Sequence, residues 1–430
     1  MPVDNAPIVY EFHSDAPLGI PFAQIAPEDI HIYLNLDTKI GKDTCGQRCE
    51  HCWFVNYDDV YDMAFDMTEG PHIKNGLEAL GYRVFPRYVD SFGYQGKFLS
   101  LFGSTNNREF RQESQSRATD TMESGDAWTS GRPLLGDGYV ELLDLAKANG
   151  YGTISTTFHG LLDDDLRIVD GRGFPLKGVL RGSDLEKVVH RIHDYNERHA
   201  GAAPDDGTAP RKAFRVNITV TLGRHNTGRP TLERYARYFN ALGVDTVRFN
   251  NYADHGGHHP ELELSREEIA RTFEDLKWLH DCVQLDFQLG VSGDFGDDGL
   301  EVLGIPSHVG WCRGGSHLFT VIPSAVVELS RGDGVRHEKI GDIVGCVNMF
   351  EPHFGPLVRT TDEEAGTVTY DLLFDHEAID AFTADRMSGV YQNGCFAREL
   401  ARKLPPPRRV QAGRGRPVAA TGEPDPCPTC

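Results

Sequence analysis

Three cysteines, Cys45, Cys49 and Cys52, stand in one short loop that reads Cys45-Gly46-Gln47-Arg48-Cys49-Glu50-His51-Cys52. Three thiolates at that spacing can hold three irons of a [4Fe-4S] cluster and leave the fourth iron open to a non-protein ligand. A structural zinc ion is the competing occupant, with His51 as its fourth ligand. The remaining cysteines are Cys282, Cys312, Cys346, Cys395, Cys427 and Cys430. An odd total of nine, clustered at both ends, argues for metal chemistry rather than a disulfide framework. A second metal site is expected to draw on Cys312, Cys395, Cys427 and Cys430, with Cys346 in reserve. The closing Cys427-Pro428-Thr429-Cys430 can set two thiolates on one iron or one zinc. Cys282 falls inside a predicted helix and reads as a small buried apolar residue. His255, His258 and His259 follow a predicted strand, where a solvated polar loop competes with a substrate-facing one.

Positioning such residues takes a scaffold, and the apolar pattern supplies one. Residues 29–38 alternate between turn formers and read as a strand that delivers the chain into the Cys45 loop. Residues 71–90 read as a helix and then a strand, and the polar stretch 106–131 as an inserted loop. From there helix and strand alternate: 139–160, then a helix over 185–200 with a strand over 212–226, then 232–254 and 265–293. Apolar residues at helical spacing followed by short β-branched runs predict βα units around a parallel sheet, an α/β fold. Beyond about residue 300 the pattern changes. Residues 317–330 read as a small hairpin turning at Pro323-Ser324-Ala325, and 404–425 as a Pro, Gly and Arg-rich linker.

The charge balance narrows the partners. With 43 basic and 64 acidic residues the net charge is −21, which repels nucleic acid and anionic membrane surfaces. No apolar run reaches the roughly 18 residues of a membrane span, and the first residues lack the pattern of a signal peptide. A cytoplasmic location is expected.

The cysteine loop after a strand, together with the βα order behind it, resembles the radical SAM superfamily. The resemblance covers residues 28–304 and implies a partial (β/α)6 barrel whose cluster binds S-adenosylmethionine (SAM) through the open iron. It implies that His51 lies near the adenine, and that Thr156-Thr157-Phe158-His159-Gly160 and the strand ending at Asn226 border the cofactor. The family's second strand ends in Gly-Gly-Glu-Pro, whose backbone binds the methionyl ammonium. That motif is absent as such; Gly93-Tyr94-Gln95-Gly96 is the nearest match, with Phe102-Gly103-Ser104 as a rival. Glycine permits the close backbone approach such a contact requires.

Residues 305–430, opening at Trp311-Cys312-Arg313-Gly314, resemble the SPASM or twitch extension, which implies an auxiliary iron-sulfur cluster. Where that extension often carries a cysteine after its hairpin, this chain has Glu328-Leu329-Ser330-Arg331. Residues 1–27 form a short N-terminal extension. The resemblance also implies an electron donor such as flavodoxin or ferredoxin, and a radical that abstracts an unactivated hydrogen from the substrate. A small polar metabolite such as a sugar, nucleoside or amino acid derivative is the expected substrate, altered by dehydrogenation, epimerisation, rearrangement or sulfur insertion. A peptide-modifying maturase is the alternative, although the first predicted strand begins too early to leave room for a leader-recognition domain. A non-enzymatic zinc protein with an α/β body is the third reading.

Overall fold

The computed structural model describes residues 5–11, 19–36, 64–88, 90–102, 125–169, 182–199, 212–252, 259–292, 295, 302–303, 313–346 and 352–387. In chain order the strands are β1 (Val9–Glu11), β2 (His31–Asn35), β3 (Arg83–Arg87), β4 (Gly125–Trp128), β5 (Tyr151–Phe158), the short pair β6 (Leu161–Leu162) and β7 (Ile168–Val169), β8 (Arg215–Leu222), β9 (Thr246–Asn251) and β10 (Gln288–Ser292). Four longer strands follow: β11 (Leu318–Gly332), β12 (Val335–Val344), β13 (His353–Asp362) and β14 (Thr367–Leu372). The helices are α1 (Gly70–Ala79), α2 (Gly93–Phe102), α3 (Tyr139–Ala148), α4 (Gly182–Arg198), α5 (Arg229–Leu242), α6 (Arg266–Cys282) and α7 (His376–Met387).

Two six-stranded sheets result. The first runs β1-β10-β9-β8-β5-β4 and is parallel throughout. The second runs β14-β13-β12-β11-β2-β3, parallel over β11-β2-β3 and antiparallel beyond. Their edges β3 and β4 meet where the Ser91 amide donates to the Trp128 carbonyl at 2.9 Å. The combined sheet is a curled half-barrel in a mixed α/β fold, which agrees with the partial barrel expected from the sequence.

Alternation along the strands decides which face the helices cover. Val216, Ile218, Val220 and Leu222 of β8 are buried with Val247 and Phe249 of β9 and Leu289 and Val291 of β10. Onto them packs a helical stripe from α4, Leu185, Val188, Val189, Ile192 and Tyr195, at the spacing that puts side chains on one face. Each such side chain contributes about 1.5–3 kcal/mol on full burial. Local signals fix the helix ends. Ser265 and Glu268 form a reciprocal capping box at the start of α6, and Gly243, at φ +72°, ends α5 in the left-handed conformation.

The second sheet has its own core, in which Ile32 and Leu34 of β2 and Leu77 of α1 pack with Phe319, Val321, Phe354, Leu357 and Phe382. The C-terminal strands thus share both a sheet and a core with β2. Three expectations are corrected. Residues 317–330 are not a hairpin but most of one fifteen-residue strand, β11. The turn comes at Asp333-Gly334, with φ of +51° and +77°, the dipeptide and backbone suited to a tight hairpin. Register shifts near Pro323 absorb the missing N–H donor inside β11. The stretch 106–131 ends in a strand, β4, short and poor in β-branched residues, so its sequence hides it. Residues 93–102 form α2, so Gly93-Tyr94-Gln95-Gly96 opens a helix and does not end a strand. Among the described residues no helix is long and apolar enough to cross a membrane.

Candidate functional site

The face of the first sheet turned away from the helices is polar. Thr153, Ser155 and Thr157 of β5 alternate with the helix-facing residues, as do Asn217, Thr219 and Thr221 of β8, Arg248 and Asn250 of β9, and Ser292 of β10. The register lines them into rows: Ser155 opposite Asn217; Thr157, Thr219, Arg248 and Gly290; Thr221 opposite Asn250. Asn217 Nδ2 donates to Ser155 Oγ at 2.9 Å. Thr153 Oγ1, Asn217 Oδ1, Asn250 Oδ1 and Ser292 Oγ are buried without a hydrogen-bond partner among the described residues. A buried polar atom left unpaired costs about 1–3 kcal/mol, and parallel strands covered on both faces are ordinarily Val and Ile-rich. A polar inner face is therefore a signal of binding rather than of packing.

Ligands of open α/β sheets and barrels bind at the carboxyl ends of the strands. At the seam of the two sheets, Asp90 is 7% exposed. Its Oδ2 accepts from the Ser130 amide (2.9 Å), the Ser130 hydroxyl (2.6 Å) and the Thr129 hydroxyl (3.2 Å), and its Oδ1 from the Phe92 amide (3.0 Å). Burial raises the Asp90 carboxyl above its usual range, and these hydrogen bonds oppose the rise. Next to Ser130, Gly131 takes a left-handed φ of +82° and Pro133 enters a 3-10 turn over Arg132–Leu135. At the ends of β5 and β8, burial pushes His159 down to about 4 and His225 down to about 3, the latter with help from the neighbouring His159. Both rings are neutral at physiological pH.

Of the residues singled out from sequence, Asn226 stands in the loop after β8, 1% exposed. Its Oδ1 accepts from the Gly223 amide (2.7 Å) and its Nδ2 donates to the Thr221 carbonyl (2.9 Å), so the side chain braces its own loop. Gly93 and Gly96 lie in the first turn of α2. The Gly93 amide donates to the Asp90 carbonyl (2.8 Å) and the Gly96 amide to the Phe92 carbonyl (3.3 Å). Gly96 has φ +74°, and a Cβ there would come within 2.5 Å of Leu145 Cδ2 on α3. Close packing against α3 thus accounts for that glycine. Cys346 follows β12 and packs against the core of the second sheet. Cys282, read as buried, is exposed: it ends α6, whose core-facing stripe stops at Leu279. His259 pairs with Glu261 at 3.2 Å. Cys45, Cys49, His51, Cys52, Gly103, His255, His258, Cys312, Cys395, Cys427 and Cys430 lie outside the described residues. Among the described residues no group of three or more His, Cys, Asp or Glu side chains could hold a metal.

The sequence reading missed Asp90, Thr129, Ser130 and Gly131. A signal was present: Ser130-Gly131-Arg132-Pro133 shares the second and fourth residues of Gly-Gly-Glu-Pro, but its first two residues close the stretch 106–131 read as a loop.

No family model and no curated protein matches the sequence. Solved structures similar to the chain include SuiB of Streptococcus suis bound to S-adenosylmethionine. There the identity is 13% and the TM-score 0.45, over 84% of this chain and 67% of SuiB. Methylornithine synthase, PylB, is 12% identical with a TM-score of 0.38, over 76% of this chain and 78% of its own. The radical S-adenosylmethionine methyltransferase TsrM of Kitasatospora setae, with cobalamin and a [4Fe-4S] cluster bound, is 15% identical. Its TM-score is 0.30, over 52% of this chain and 36% of TsrM.

Proposed function

We propose that the protein is a radical SAM enzyme acting on a small polar metabolite. The observation that carries this reading is the Cys45, Cys49, Cys52 spacing in a segment that leaves the carboxyl end of β2, a parallel strand within the half-barrel. The Phe65 amide donates to the Leu36 carbonyl at 2.9 Å, and residues 37–63, which carry the three cysteines, lie outside the described residues. Their cluster, with SAM on its open iron, supplies one-electron cleavage of the sulfonium and hydrogen abstraction from the substrate.

The chain's own residues bind and orient. The turn Thr129-Ser130-Gly131, at the carboxyl end of β4 and followed by Pro133, is the better counterpart of the family's ammonium-binding motif than Gly93–Gly96, which opens α2 and does not end a strand. Arg132 stands where the motif has its glutamate, so this turn would offer an ammonium backbone carbonyls and no carboxylate. The hydroxyls, amides and Arg248 guanidinium of the inner face suit a hydrogen-bonding, anionic or polyhydroxylated molecule, and favour a small metabolite over an apolar side chain. An auxiliary cluster on Cys312, Cys395, Cys427 and Cys430, and reduction by a flavodoxin or ferredoxin in the cytoplasm, complete the reading.

A peptide substrate is the second reading. It is favoured by Val326, Val327 and Leu329, each about half exposed on the part of β11 that runs past its pairing with β2. The reading is tested with anaerobically reconstituted, reduced protein. Wild type is expected to convert SAM to 5′-deoxyadenosine, and replacement of Cys45, Cys49 and Cys52 by Ala to abolish the conversion. Equal turnover by the triple variant refutes the assignment.

A further inference from the structure

We propose, on the radical SAM reading above, that Arg248 anchors the substrate in the middle of the polar inner face. The substrate class this selects is a small molecule that carries an oxyanion, carboxylate or phosphate, together with hydroxyl or amine groups.

Three rows of side chains cross that face. The deepest holds Ser155 and Asn217, the next Thr157, Thr219, Arg248 and Gly290, and the one nearest the carboxyl ends Thr221 and Asn250. With a rise of about 3.3 Å per residue and about 4.8 Å between strands, the rows lie about 7 Å apart and span about 14 Å from β5 to β10, the dimensions of a metabolite. Thr153, Ser155 and Asn217 are buried, whereas Thr157, Thr219, Arg248 and Asn250 keep some exposure, so the open part of the wall begins at the Arg248 row.

Arg248 is the charged side chain of these rows. Charged residues are seldom placed on the face of a parallel sheet, where Leu or Val packs without a desolvation cost. A guanidinium offers a planar fork of donors that fits two oxygens of a carboxylate or phosphate. With a net charge of −21 the chain does not draw anions in from a distance, so recognition of one has to be local. The flank of Arg248 is open because its row continues into Gly290; a Cβ there would lie 3.8 Å from Arg248 Cβ.

The rows on either side supply the rest of the recognition. Asn217 Oδ1 and Asn250 Oδ1 are buried with no hydrogen-bond partner among the described residues, as are the hydroxyls of Thr153 and Ser292. Asn217 is 7% exposed and Ser292 1%. An amide oxygen accepts and cannot donate, so these two call for hydroxyl or ammonium groups on the molecule that covers them. An oxyanion on Arg248 with donors toward the rows before and after it describes a hydroxy acid, an amino acid or a sugar phosphate. It disfavours a neutral sugar.

The test titrates the reconstituted holoenzyme, its cluster oxidised so that SAM is not consumed, with inorganic phosphate and separately with acetate. Isothermal titration calorimetry at constant ionic strength reads the binding. Expected is one site with a Kd of about 1–10 mM for at least one of the two ions. The tighter ion tells a phosphorylated substrate from a carboxylic one. Arg248→Gln should weaken the binding about tenfold or more, the worth of a charge-assisted hydrogen bond. Arg248→Lys, which keeps the charge and loses the fork, should weaken it by a smaller factor. Saturating SAM should leave the ion bound, because the Arg248 row lies below the carboxyl ends at which the cofactor is expected. Absence of binding by either ion overturns the proposal, and so does an equal Kd in wild type and Arg248→Gln. Displacement of the ion by SAM also overturns it, since Arg248 would then serve the cofactor's own carboxylate. If Arg248→Gln does not fold, an unchanged Kd in Arg248→Lys overturns the assignment. Wild type that binds the ions but neither binds nor cleaves SAM upholds the anion site and overturns the enzyme reading itself.

Discussion

Replacing Gly96 by Ala separates a packing glycine from a cofactor-binding one. At φ +74° an L-residue costs about 1–2 kcal/mol. The new Cβ would lie 2.5 Å from Leu145 Cδ2 and 3.3 Å from Leu142 Cδ2, so both leucines of α3 must shift. Overpacking of this kind costs about 1–3 kcal/mol. Restricting the unfolded chain returns about 0.4–1 kcal/mol, which leaves a net loss near 3 kcal/mol. At about 2 °C per kcal/mol for a long chain, the thermal midpoint should fall by about 6 °C. Gly93→Ala is the internal control, since its Cβ would meet Tyr88 Cε1 at an ordinary 3.5 Å, and it should shift stability by less than about 0.5 kcal/mol. Differential scanning calorimetry of both reconstituted variants gives the answer. SAM KM, measured below the transition, should be unchanged in Gly96→Ala. A variant as stable as wild type but with a raised KM refutes the packing argument and returns Gly96 to the cofactor site.

The terminal cysteines predict a division of labour: Cys427→Ala with Cys430→Ala should still produce 5′-deoxyadenosine but bind about four irons fewer than a wild-type value near eight. Iron and zinc analysis decides this, and zinc in place of the missing iron would make the tail a zinc knuckle. The buried histidines predict acid sensitivity. The unfolded chain takes up these protons near pH 6.5, and the folded chain only near 4 at His159 and 3 at His225. Stability should therefore fall as pH drops below 6.5, by at most about 1.4 kcal/mol per pH unit per histidine. Urea midpoints at pH 7.5 and 5.5 should differ less in His159→Gln than in wild type; an equal difference contradicts the assignment.

The α-helices and sheet strands from residue 139 to 292, apart from the short pair β6 and β7, were legible because their apolar residues fall at 3.6 and 2 residue periods, as in Leu185-Val188-Val189-Ile192 of α4 and Val216-Ile218-Val220 of β8. The same alternation, read for its polar half, would have shown the inner face, but Thr157, Thr219 and Asn250 look solvent-facing until a curled sheet encloses them. The strand β4 was illegible because Gly125-Asp126-Ala127-Trp128 has no β-branched residue and is held at its carboxyl end by long-range bonds to Ser91 and Asp90. Losing β4 also lost the Ser130-Gly131 turn. For β11 the proline misled: Pro323 reads as a turn, yet a local shift of register lets the strand continue to Gly332.

The pairing of β2 with β11 and of β1 with β10 has a consequence for how the chain is made. Leu318 lies beside His31 and Gly290 beside Val9, so β1 finds its neighbour, and β2 its second neighbour after β3, only after most of the sequence has been synthesised. Contacts so distant in sequence carry a large closure entropy and form late. During translation the segment bearing Cys45, Cys49 and Cys52 is thus expected to wait, reduced and accessible, beside a half-finished sheet. Iron-sulfur loading and strand closure become competing events on the same nascent chain. Overproduction without a matching iron and sulfide supply should accordingly yield aggregated rather than cleanly apo protein, because the exposed edge of β2 is then the surface left to pair.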